Sequence, residues 1–175
     1  MNRPTVSDRA LRLHRDSLVC DLTLPFTDYG RTDLRYQMLE RMAASGFDYV
    51  SLTVAGDWMS LEATMHAIAR ERAFFLASPG RYVLVEAAAD IERAKAAGKL
   101  AVGLHFQGTN PVGYDVAMVE PFYRLGIRHM LIPISTDRDS DAGFPNGLIR
   151  DSTGQTGCGG LAWGILSRFG AITRV

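Results

Sequence analysis

The chain has 175 residues, 47% of them hydrophobic, and 19 Lys plus Arg against 19 Asp plus Glu give a formal net charge of zero. That length suits one domain, and that apolar content speaks against disorder. The balanced charge shows no basic stripe for nucleic acid, no apolar run approaches the roughly 18 residues of a membrane helix, and the polar start MNRPTVSDRALRLHRD holds no signal-peptide core.

Taken in order, residues 7–16 read as a short amphipathic helix with Ser7 as N-cap and Ala10, Leu11 and Leu13 as its apolar positions. A first strand covers 17–24 and is stopped by Pro25. Leu18, Cys20, Leu22 and Leu24 share one face; Val19, Asp21 and Thr23 share the other. Cys20 is expected as a small core residue, far in sequence from Cys158, so nothing demands an oxidising compartment and a cytoplasmic setting is expected. After a loop at 26–33, a helix at 34–45 stops at Gly46. A second strand covers 47–54, with Tyr49, Ser51 and Thr53 on one face. A long helix follows at 60–77, with Leu61, Met65, Ile68 and Phe75 at helical spacing. Then come a short strand at 81–85, a helix at 87–97, a strand from about 100, a helix at 115–125 and a strand at 128–134.

Strand and helix alternate, which predicts a parallel α/β sheet with right-handed crossovers. Three strands each have one apolar face, and the opposite faces carry Asp21, Thr23, Ser51, Thr53, His105 and Gln107. A polar inner face suits a TIM-type (β/α) barrel better than an open flavodoxin-like sheet. A closed barrel needs eight strands, and only about half that number can be read here, so a partial barrel, roughly the N-terminal half, is expected. The expected divisions are a βα-repeat half-barrel at 1–134, an irregular loop at 135–160 rich in Gly, Asp, Ser and Thr, and a helical remnant at 161–175. Unpaired edges of a half-barrel open a route to homo-oligomers.

The stretch KLAVGLHFQGTNP, 99–111, is the centre of the functional reading. Leu100, Val102, Leu104 and Phe106 fall on one face of a strand, and Ala101, Gly103, His105 and Gln107 on the other; Gly108, Thr109, Asn110 and Pro111 then break it. His105, Gln107 and Asn110 therefore collect at a strand's C-terminal end, where parallel α/β proteins build sites. His105 reads more simply as a hydrogen-bonded structural histidine than as a base. Gln107 is suited either to a substrate amide or to positioning the turn, and Asp21 to capping a neighbouring N–H. Asp137, Asp139 and Asp141 lack the Gly and Glu of a calcium loop, and the glycines at 154–160 lack the Lys-Ser/Thr of a phosphate loop.

The segment AADIERAKAAGKLAVGLHFQGTNPVGYDVAMVEPFYRLGIRHMLIP, the strand start SLVCD and the later GCGGLAWGILSRFG together resemble the membrane dipeptidase (renal dipeptidase-like) family of zinc peptidases. The resemblance implies a TIM-barrel hydrolase that cleaves dipeptides through two bridged zinc ions. It also implies ligand positions that this chain fills differently. Thr23 and Pro25 stand at the family's His-x-Asp pair, Gln107 at its bridging glutamate, and Thr109 and Asn110 at the following Gly-His. Neutral side chains do not hold divalent cations in this way. The expectations are accordingly no catalytic or metal-ligand residues, no cofactor, little activity by this chain alone, and Asp21, His105, Gln107 and Asn110 as substrate-binding positions for a dipeptide-like small molecule. The alternative is a non-catalytic barrel fragment that binds a small molecule or a partner.

Overall fold

The computed structural model describes residues 6–26, 32–113 and 115–131. Most of the expected 26–33 loop lies outside them, as do the 135–160 loop, the 161–175 stretch and Cys158. The described elements are α1 (Asp8–Asp16), β1 (Cys20–Leu24), α2 (Thr32–Ala44), β2 (Tyr49–Gly56), α3 (Leu61–Leu76), β3 (Tyr82–Leu84), α4 (Ala88–Ala96), β4 (Leu100–Gln107), α5 (Val119–Arg124) and β5 (Ile127–Met130). Short 3₁₀ turns at Asn110–Val112 and Val116–Met118 separate β4 from α5. The strands form one sheet in the order β1-β2-β4-β3, with β5 also on β4. The pairs β1–β2, β3–β4 and β4–β5 are parallel, as helical crossovers require. This is the expected α/β fold. Among the described residues no helix is long and apolar enough to cross a membrane.

Local chemistry sets the element ends. Ser7 caps α1 by accepting the Ala10 N–H. Gly46 leaves α2 at φ +84, and its missing Cβ makes room for the His14 ring, whose Cε1 would lie 2.6 Å from such an atom. The expected single helix at 115–125 is instead a 3₁₀ turn followed by α5. Pro121 has no N–H to offer the carbonyl four residues back, so the helix has to restart within the turn that holds it.

Two sequence expectations are corrected by burial. Cys20 is an exposed free thiol and not a core residue. Leu11 and Leu13 of α1, and Leu61 and Met65 of α3, are exposed as well. The physical reason is the same in each case: amphipathic spacing says that an apolar face exists, but not that something covers it.

The chain divides into two compact units. The first comprises Met1–Leu52 with Arg72–Gly103. Val50, Leu52, Leu100 and Val102 form its fully buried strand core, and Tyr49, Val85, Ala94 and Ala101 cluster beside it with Val83 and Ile91. Tyr36 stacks on Phe74 with ring centres 3.5 Å apart, and Tyr82 meets Phe75 edge-on at 5.3 Å. The Tyr82 hydroxyl is buried without a hydrogen-bond partner among the described residues. Lys95 of α4 donates to the Ser17 carbonyl at 2.7 Å and to Asp48 at 2.8 Å, while the same Asp48 oxygen accepts the Val19 N–H at 2.8 Å. One ammonium thus ties α4 to the chain entering β1 and β2. Along β1 the register slips between Asp21 and Leu24, where β1 advances three residues against two of β2. The Asp21 carboxylate accepts the Thr23 N–H at that slip.

The second unit comprises Thr53–Glu71 with Leu104–Val175, described here as far as residue 131. Leu104, Phe106, Phe122 and Ile127 are fully buried, with Phe106 edge-on to Phe122 at 4.8 Å. Leu104 pairs with Ile127, but His105 pairs with His129, so Arg128 is an extra residue in β5. In a regular strand residues 127 and 129 point the same way, whereas 104 and 105 point oppositely. The bulge at Arg128 resolves this conflict and places His129 beside His105.

Candidate functional site

The polar side chains of the second unit gather at the C-terminal ends of β2 and β4. β4 reads as its alternation predicts, but both faces are buried through Phe106, and only Gln107 at the tip is exposed. Buried His105 has its Nε2 2.9 Å from Thr53 Oγ1, the tautomer deciding which of them donates. Its ring stacks on that of His129 with centres 4.4 Å apart and planes 11° from parallel. A fully buried imidazole held in this way is placed to order the strand ends and not to meet a substrate arriving from solvent.

Beyond Gly56 the chain turns tightly, closed by a 3.0 Å bond from the Met59 N–H to the Gly56 carbonyl. This turn places Asp57 against the turn that follows β4. Asp57 Oδ1 accepts the Asn110 N–H at 3.0 Å, and Asn110 Nδ2 donates to the Asp57 carbonyl at 3.0 Å. Gly108 lies at φ +135, and a Cβ built there would overlap the Asp57 carboxylate. The two strand ends are therefore stapled by a reciprocal pair of bonds that fits only around a glycine. Trp58, next to Asp57, is 59% exposed.

The four positions singled out in the sequence have different placements. His105 is buried in the second unit, Gln107 is exposed at its β4 tip, and Asn110 is engaged with Asp57. Asp21 belongs to the first unit and bonds locally to Thr23. Asp57, Trp58 and His129 were not singled out. Asp57 lies 53 residues from its partner Asn110, and His129 reaches His105 only through a bulge, so neither pairing leaves a local pattern.

A metal requires converging donors. Among the described residues no three His, Cys, Asp or Glu side chains are grouped to hold one. Gln107 is a neutral amide, Asn110 is committed to Asp57, and His105 Nε2 faces Thr53. The described side chains do not fit a zinc pair.

No protein-family model and no curated protein matches the chain. Solved structures do. An amidohydrolase from Pseudomonas aeruginosa is 25% identical, with a TM-score of 0.62 over 73% of this chain and 37% of its own. The probable dipeptidase PvdM from Pseudomonas aeruginosa is 16% identical, with a TM-score of 0.61 over 75% of this chain and 38% of its own. A dipeptidase of the metallopeptidase family M19 is 18% identical, with a TM-score of 0.54 over 65% of this chain and 41% of its own. The chain thus spans well under half the length of these proteins. The membrane dipeptidase-like resemblance and the partial barrel-type α/β fold read from the sequence both agree with these likenesses. The expectation of no cofactor is corrected by them, because the M19 dipeptidase is a metallopeptidase.

Proposed function

We propose that this chain is a dipeptidase-like hydrolase fold that takes a dipeptide-like small molecule at the C-terminal ends of β2 and β4. On this reading zinc is the cofactor class to supply, and dipeptide hydrolysis needs donors beyond the described residues, so this chain alone turns over little or no dipeptide. The observation that carries the reading is the stapled pair of strand ends, Asp57 with Asn110, beside the exposed amide of Gln107. An amide both donates and accepts, so it matches a peptide group without a charge partner. The residues at this end bind and orient; no proton transfer is assigned to His105, which is buried. The exposed free thiol of Cys20 supports a reducing, cytoplasmic setting.

The test is a thermal-shift titration with dipeptides, alongside zinc analysis and a dipeptide hydrolysis assay in added zinc. Stabilisation by dipeptides without turnover is the expected result. Turnover with bound zinc would overturn the claim of inactivity, and absence of both binding and turnover would overturn the whole reading.

A second reading, a chain that meets a further copy of itself, is favoured by β1. It ends the sheet among the described strands, and Leu18 and Leu22 are 51% and 59% exposed. Light scattering across a concentration series tests it; a monomer at every concentration would refute it.

A further inference from the structure

Trp58 is the feature of the stapled strand ends that the reading above leaves unused. It is a large aromatic residue, 59% exposed, in the turn after β2. Its indole is nevertheless held in place. The six-membered ring lies against the Cα of Gly56, where a Cβ would overlap three of its atoms. The neighbouring Asp57 is fixed to Asn110 by two hydrogen bonds, so the turn that carries the ring cannot drift from the end of β4. The exposed Gln107 precedes Gly108, which is packed on that same Asp57. Among the described residues neither the Gln107 amide nor Asn110 Oδ1 has a hydrogen-bond partner.

A seated, outward-facing aromatic ring next to free amide groups has a defined chemical complement. We infer that Trp58, Gln107 and Asn110 form a subsite for a small molecule in which a planar apolar group is joined to a peptide amide, that is, a dipeptide with an aromatic side chain. The aromatic group stacks on the Trp58 indole. The amide exchanges hydrogen bonds with Gln107 and with Asn110 Oδ1. Little ordering entropy is lost on the protein side, because the indole already rests on Gly56 and Asn110 is already tied. This deepens the dipeptide reading and rests on it.

The experiment is isothermal titration of the full chain with Gly-Phe and with Gly-Ala, repeated on Trp58→Ala and Gln107→Ala. An aromatic contact adds enough to favour Gly-Phe by about threefold to tenfold. The expected results are that preference in the wild type, its loss in Trp58→Ala with Gly-Ala affinity unchanged, and an equal weakening of both dipeptides in Gln107→Ala. Trp58→Phe should restore part of the preference, which a merely misfolded Trp58→Ala would not predict. Equal binding of the two dipeptides by the wild type overturns the subsite while leaving the dipeptide reading intact. A Gly-Phe preference that survives in Trp58→Ala does the same. Failure of both dipeptides to bind overturns both.

Discussion

Replacing Gly108 by Ala tests the staple directly. Gly108 sits at φ +135, where a side chain strains the backbone by about 1–3 kcal/mol. The new methyl would also occupy the space of the Asp57 carboxylate, so that Asp57 must swing away and give up its bond to the Asn110 N–H. Losing a hydrogen bond to a charged group costs about 1.5–3 kcal/mol. Together the two effects amount to about 3 kcal/mol. They can be separated, because in an Asp57→Ala background the overlap is already gone and Gly108→Ala should cost only the backbone strain. A double-mutant cycle by urea unfolding, followed by circular dichroism, should therefore give a coupling of about 1.5 kcal/mol or more. Strictly additive costs, or a Gly108→Ala protein within about 0.5 kcal/mol of wild type, would refute the staple.

Three further substitutions probe the first unit. Burial alone would raise the Asp90 carboxyl, but the N–H groups of Ala87 and Glu86 and the Arg93 guanidinium outweigh it and hold it below the usual carboxylate range. A carboxyl depressed on folding contributes stability above its unfolded pKa and loses it as pH falls through the folded value. Asp90→Asn should thus cost about 1–2 kcal/mol at pH 7 and show a flatter stability profile than wild type below about pH 4, read by urea titrations across pH. Burial, reinforced by the Glu40 carboxylate, raises the Tyr82 hydroxyl, which is also unpartnered. Tyr82→Phe keeps the edge-on contact with Phe75 and should be neutral or stabilising by up to about 1 kcal/mol in thermal melts. Lys95→Met removes the ammonium that joins Ser17 to Asp48 and should cost about 1–3 kcal/mol, with faster hydrogen exchange at the Val19 amide that Asp48 accepts.

Much of the fold was legible because its signals are local. A period of two gave β4 and its faces, Ser7 announced α1, and the glycines at 46 and 98 closed α2 and α4. Exposure was less legible. Cys20 lies in an apolar run, yet β1 ends the described sheet and leaves it open. The site was half legible. Gln107 and Asn110 could be placed at a strand end from the turn that follows them, whereas Asp57 became visible only when folding brought a loop 53 residues away into hydrogen-bond range. His129 escaped notice for a different reason: counting by twos from Ile127 assigns it to the wrong side for His105, and only the slip at Arg128 reverses that.

That slip gives Arg128 a weight its own side chain does not explain. Everything described after it in β5, His129 through Leu131, takes its inward or outward aspect from the presence of one spare peptide unit. Deleting a single codon there would change composition hardly at all. It would nevertheless invert the phase of the strand and turn the imidazole away from its neighbour, so in this stretch the count of residues carries as much information as their identity.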